Sequence, residues 1–194
     1  MLWPFNHFRK PPAPLRGTIE AIYGTIVAQA REPRFYRELG VADTVNGRFD
    51  MLLLHLWLLL RQLKQIGEAS GASQEPLSQG LLSQGLIDRF CSDMDHNLRE
   101  LGTSDLKVPK KMQEFGRAFY GRAAAYDRAL AEGPEALALA LDKNIYNGTD
   151  LAQARRLARY VAEAAAALAA LDETTVANGS WRFPSPVATE MMTK

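Results

Sequence analysis

The sequence is poor in almost everything from which a catalytic or metal-binding site is made. Its 194 residues hold one cysteine, Cys91, and three histidines, His7, His55 and His96. A single thiol excludes an intrachain disulfide framework and any site built from several cysteines, and fits a reducing compartment. A charge of one sign is missing too, because 23 Lys and Arg stand against 22 Asp and Glu. No global field steers such a chain to nucleic acid, so a dedicated DNA binder is not expected. Long apolar runs are also scarce: the longest, Met51 to Leu60 with His55 inside it, is about half of the ~20 residues that span a bilayer. At the amino terminus Leu2, Trp3, Phe5 and Phe8 precede Arg9 and Lys10, the reverse of a secretory signal. The chain is therefore expected to be soluble, and the sequons at Asn147 and Asn178 read as turns. There is no Gly-x-Gly-x-x-Gly, no phosphate loop and no His-Glu-x-x-His, and no stretch alternates long enough to be a strand.

What the chain has is apolar material, 47% of its residues, spaced with a helical period and sufficient for a single core. Ile19, Ile22, Tyr23, Ile26, Val27 and Ala30 recur at three and four, which predicts a helix over 18–30 ended by Pro33. A turn of helix over 34–39 and a loop over 40–47 lead to a second helix starting near Phe49. Since Met51–Leu60 is apolar on nearly every face, this helix is expected at the centre of the others. Residues 67–74 read as a linker. Pro76 opens a third helix, whose Gly80 and Gly85 lie in a tandem repeat that is expected to bend or fray. Its inward stripe is Ile87, Phe90, Cys91, Met94, Leu98 and Leu101, stopped by Gly102. Pro109 begins a fourth helix through Leu130, Pro134 a short fifth to about Asp142, and Thr149 or Asp150 caps a last one to about Leu171. The expectation is all-α, an irregular bundle of about six helices over 18–171. A proline-rich lead-in, 1–17, precedes it and an extended tail, 172–194, follows. Trp181, Phe183, Pro184 and Pro186 are too apolar for a solvated end, so the tail is expected to dock.

Chemistry has few candidates. Asp93 and His96 have the carboxylate-x-x-His spacing of helical di-metal bundles, but such a site needs the motif twice. No acid lies three before His55, so no metal or cofactor is assigned. Arg89–Asp93 and His96–Glu100 read instead as i,i+4 neighbours on a solvated face. His55 reads as a satisfied core histidine and Cys91 as a small hydrophobe. Asp95 and Arg122 stand out because both border an apolar stripe, where an unpaired charge costs several kcal/mol. Two readings stay open: an ion pair between the third and fourth helices, or a polar patch in a partner-binding groove. Tyr120 and Asp127 share a flank of the fourth helix and form a candidate recognition surface. Lys107, Lys110, Lys111, Arg117, Arg122 and Arg128 against Asp105, Glu114 and Asp127 leave this stretch locally +3. That suits anionic lipid heads or ribosomal RNA. The N-terminal aromatics suit a membrane interface.

Several segments, taken in order, resemble the ubiquinol–cytochrome c chaperone family. They are Tyr23-Gly24 through Phe35-Tyr36; Arg48-Phe49-Asp50 through Trp57; Leu86-Ile87-Asp88-Arg89-Phe90-Cys91-Ser92-Asp93-Met94-Asp95-His96-Asn97-Leu98-Arg99-Glu100-Leu101-Gly102; Lys110-Lys111-Met112; Phe119-Tyr120-Gly121-Arg122 through Tyr126-Asp127; and Asn144-Ile145-Tyr146. The resemblance covers about Tyr23 to Tyr146. It implies a non-enzymatic helical chaperone that holds newly made cytochrome b during assembly of respiratory complex III. A small helical co-chaperone and the ribosome are implied as further partners. Without a long Arg/Ser-rich transit region, the chain looks like a bacterial member at the cytoplasmic face of the inner membrane, in peripheral contact with it. Partner-binding residues are expected where the resemblance concentrates: Asp95, Arg99, Tyr120, Arg122, Tyr126 and Asp127. The competing expectations are a helical cofactor- or metal-binding protein using His55 or His96, and a ribosome-associated RNA-binding factor.

Overall fold

The computed structural model describes residues 13–69 and 76–186, all of whose regular structure is helical. The elements are α1 (Ala13–Ala30), α2 (Pro33–Arg37), α3 (Val45–Ala69), α4 (Pro76–Glu100), α5 (Val108–Glu132), α6 (Pro134–Ile145), α7 (Leu151–Ala169) and α8 (Glu173–Asn178). Prolines start α2, α5 and α6 in the first turn, where the missing N–H has no intrahelical acceptor in any case. Asp150 caps α7 by accepting from the Gln153 amide, 3.0 Å. Left-handed glycines end segments at Gly102 (φ 78°) and Gly179 (φ 70°). The first sequon is a turn, with Asn147 and Gly148 at φ 56° and 75°, whereas Asn178 is the last residue of α8 and only Gly179 after it turns.

α3 is the central helix, packed against α1, α4, α5, α6 and α7. Met51 to Leu59 are all buried, as an apolar surface on every face requires. It starts four residues before Phe49 because Gly47 lets the backbone close: a Cβ there would lie 1.9 Å from the Ala42 carbonyl oxygen. On the other side, α1 lies across α3 and α4. At Gly85 the two helices come close, for a Cβ there would sit 2.3 Å from Ile19 Cδ1. The tandem glycines therefore do not break α4, which is continuous from Pro76; one of them admits α1. Leu101, expected inward, is 68% exposed, because the helix ends one residue earlier and the chain turns away.

The tail departs from the expectation in one respect and meets it in another. Residues 173–178 form α8 instead of extended chain, capped by Asp172, which accepts from the Thr175 amide. Beyond it Trp181 and Phe183 are buried at 4% and 7% exposure, their rings edge to face at 5.3 Å. Gln29 donates to the Pro184 carbonyl and Arg34 to the Ser185 hydroxyl, both 3.0 Å, fastening residues 184 and 185 to α1 and α2. No helix among the described residues is long and apolar enough to cross a membrane. The N-terminal aromatics Leu2 to Phe8 and the residues after Pro186 lie outside the described residues.

Candidate functional site

The polar residues that border the core gather on the seam between α3 and α5. Arg122 Nη2 lies 2.9 Å from Asp50 Oδ1, with the two side chains 21% and 13% exposed. One turn further along α5, Tyr126 is buried with its ring 5.2 Å from that of Trp57. The indole Nε1 of Trp57 donates to Asp127, 3.0 Å, and Arg61 approaches the same carboxylate at 3.6 Å. The period explains the arrangement: Arg122 and Tyr126 are i,i+4 on α5, while Asp50, Trp57 and Arg61 recur at seven and four on α3. Arg122 therefore meets Asp50, and Asp127 meets Trp57 and Arg61, while the Tyr126 ring packs on Trp57. Toward the start of α5, Phe115 packs on Phe49 at 4.7 Å, and Phe119 carries the exposed ring of Tyr120 on its edge.

Electrostatically the seam is under tension. Burial pushes the Asp50 carboxyl up to about 6, against the pull of the Arg122 guanidinium. Arg122 Nη1 is buried without an acceptor among the described residues. Desolvation likewise raises the Tyr126 hydroxyl far above its ordinary value.

The expected pair of Asp95 with Arg122 does not form. Asp95 accepts from Arg99 on its own helix at 2.7 Å, and Arg99 also reaches Asp105 in the following loop. The partner of Arg122 is Asp50. Periodicity locates a charge at the edge of a core but does not say which neighbouring helix faces it, and Asp95 is satisfied locally at i,i+4. Of the six expected residues, Arg122, Tyr126 and Asp127 thus share the α3–α5 seam, Tyr120 stands exposed on α5, and Asp95 and Arg99 form a separate cluster at the end of α4. Asp50, Trp57 and Arg61 were missed. The signal was there: an acid at the edge of an otherwise apolar run needs a cation.

The histidines are placed differently. His55 is fully buried, its Nδ1 2.7 Å from the Met51 carbonyl and its Nε2 2.7 Å from the Tyr160 hydroxyl. A carbonyl only accepts, so Nδ1 carries the proton and Nε2 accepts from Tyr160. Gln29 donates to the same hydroxyl at 3.0 Å. With both ring nitrogens engaged, His55 has no lone pair to offer haem or metal, and desolvation holds it down at about 4. His96 faces Glu100 at 3.2 Å, and Asp93 accepts from Tyr23, 2.9 Å, beside Arg89. Cys91 is half-buried and pushed up to about 11, an inert thiol. Along α5, Lys107, Lys110, Arg117 and Arg128 are exposed, whereas Lys111 is paired with Glu114 at 2.9 Å. Arg122 turns inward and is no part of that surface.

A model of the ubiquinol-cytochrome C chaperone family matches residues 37–183. The chain belongs to this family. The match begins after the Tyr23–Tyr36 segment and runs past Tyr146 through α7, α8 and the docked aromatics. The C-terminal part of the domain went unrecognised because an alanine-rich helix carries little that is specific. Among the relatives of this chain, ubiquinol-cytochrome c reductase complex assembly factor 1 of Drosophila melanogaster is 25% identical over 162 residues, covering 82% of this chain and 61% of that protein. The mitochondrial protein CBP3 of Saccharomyces cerevisiae is 25% identical over 157 residues, covering 78% and 44%. The chain thus spans about half the length of these curated relatives. A crystal structure of the Cbp3 homolog from Brucella abortus has a TM-score of 0.77 and 35% identity, covering 89% of this chain and 92% of that one.

Proposed function

We propose that this chain is a non-enzymatic chaperone for assembly of ubiquinol–cytochrome c reductase, binding cytochrome b as its client at the cytoplasmic face of the inner membrane. The supporting observation is the family match over 37–183, carried on a fold shared almost end to end with the Brucella Cbp3 homolog. The side-chain chemistry agrees: the buried histidine is fully hydrogen-bonded and the lone thiol is desolvated. Client contact is assigned to the solvent edge of the α3–α5 seam, with Tyr120 and Asp127 meeting the partner, while Arg122 and the buried Tyr126 position them. Asp95 and Arg99 form a second, peripheral contact.

The test is genetic and biochemical. Cells lacking the gene should lose assembled ubiquinol–cytochrome c reductase while other membrane complexes persist. A tagged chain recovered from mildly solubilised native membranes should carry cytochrome b. Asp127→Asn and Tyr120→Ala should stay folded and abundant yet recover less client. Normal reductase in the deletion strain would refute the assembly role, and full client recovery by both variants would remove the seam from the site.

A further inference from the structure

A cleft of about 340 Å³ opens between α1, the start of α3, the end of α4 and α5. Its walls are apolar, from Val27, Leu52, Met94, Leu98 and Phe115, and Val45 and Leu101 line it with 67% and 68% of their surfaces exposed. The cleft is continuous with the α3–α5 seam. Phe49 and Phe115, which pack on each other there, both line it. Its α4 wall, Met94 and Leu98, belongs to the last two turns of that helix, which also carry Asp95 and Arg99. The cleft thus bridges the two surfaces assigned to the client.

The charges of its lining cancel. Arg31 and Arg48 stand against Asp93 and Glu100, and the other polar side chains, Asn46 and Asn97, are neutral amides. Arg48 is held by Asp43 at 2.8 Å, and Asp93 accepts from Tyr23 at 2.9 Å. A charged occupant would give up its water and find no net opposite charge in return. An uncharged apolar one gains ~25 cal/mol for each Å² it covers. Size narrows the class further. A helix is ~10–12 Å across and cannot sink into a space of this volume, but it can lie along the opening and insert side chains spaced at i, i+3, i+4 and i+7. A bilayer-crossing helix of ~20 residues, apolar on every face, offers such a row on whichever side it presents. Until it enters the bilayer, that row faces water.

We propose that the cleft holds one uncharged apolar helix of the client, its side chains inserted between α1, α3, α4 and α5 and flanked by Val45 and Leu101. The inference rests on the chaperone reading and names the part of the client that is bound, a segment destined for the bilayer and not yet in it.

Two measurements test it. In the first, a labelled peptide of about 20 residues, with capped ends, leucines at i, i+3, i+4 and i+7 along one face and glutamine elsewhere, is titrated with the purified full chain. A peptide of the same composition, its leucines scattered round the helix, serves as control. Saturable one-to-one binding is expected, about tenfold tighter than that of the control. Leu101→Asp and Leu101→Lys should each weaken it about tenfold, since either charge spoils an apolar contact. Leu139→Asp, at an exposed position on α6 outside the cleft, should change nothing. Both positions are exposed, so unchanged helical circular dichroism is expected of all three variants. In the second, the tagged chain is recovered from mildly solubilised native membranes. The Leu101→Asp chain should carry less cytochrome b than the wild type, and the Leu139→Asp chain as much. Equal affinity for the two peptides, or weakening by only one sign of charge at Leu101, would overturn the proposal. So would self-association of the chain that displaces the peptide, which would give the cleft to a second copy. Cytochrome b recovered equally with wild-type and Leu101→Asp chains overturns this inference and leaves the chaperone reading standing. No cytochrome b with the wild-type chain refutes that reading, and the inference with it.

Discussion

Two buried titratable side chains on α3 act on stability in opposite directions. His55, held at about 4 in the fold, titrates near 6.5 when unfolded, so below pH 6.5 the unfolded chain binds the extra proton. Its contribution is complete above pH 6.5 and is lost as the pH falls to 4, a loss of about 3 kcal/mol. Asp50, raised from 3.8 to about 6, does the reverse: between pH 4 and 6 the folded chain binds more protons, so this group costs stability as the pH rises. Urea midpoints measured at intervals from pH 7 to 4.5 should therefore fall only gently in the native protein. In a His55→Gln variant the fall on acidification should be smaller than in the native protein, because the Asp50 gain is no longer opposed by His55. A second expectation concerns Arg122. Arg122→Met strands the Asp50 carboxylate and should cost about 3 kcal/mol at pH 7, and the double variant Asp50→Leu, Arg122→Met should recover most of it. A double-mutant cycle showing no coupling would contradict the geometry of the seam.

At the scale of elements, the glycines of α4 do unlike work. A Cβ at Gly80 meets nothing within 4 Å, so Gly80→Ala should stabilise by ~0.5–1 kcal/mol through helix propensity alone. At Gly85 the nearest atom is the tip of Ile19. Alanine there should be tolerated, whereas Gly85→Leu should push α1 off α4 and cost about 1–3 kcal/mol by overpacking. Thermal unfolding of the three variants separates the cases. The sequence shows two equivalent glycines in a repeat, and only the partner helix distinguishes them. The same holds more widely. Helix starts at Pro76, Pro134 and Asp150 were legible because caps and prolines act on the nearest turn, and α3 was placed at the centre because apolar residues on every face leave it no other position. The pairing of Arg122 with Asp50 was not, because it depends on how two helices are set side by side. Nor was α8, whose six residues are too few for a period to show.

For the molecule as a whole, the docked end closes the core. Trp181 is buried and donates its indole N–H to the Val176 carbonyl. Its emission should be blue-shifted in the native state, and Trp181→Ala should cost about 3 kcal/mol. A red-shifted native spectrum for Trp181, read in a variant lacking Trp3 and Trp57, would show the end undocked. The hydrogen bond from Gln29 to Pro184 joins residues 155 apart in sequence, and this sets an order in time. At ~5–20 residues per second of synthesis, Gln29 waits roughly 8–30 s for its acceptor to be made. The helices α5, α6 and α7 follow one another in the chain and pack on their sequence neighbours, so they can associate as they emerge. α1 cannot be finished so early. Until translation reaches Phe183, the side of His55 that its ring covers lies open, and a newborn copy of this chain has a period of vulnerability of its own.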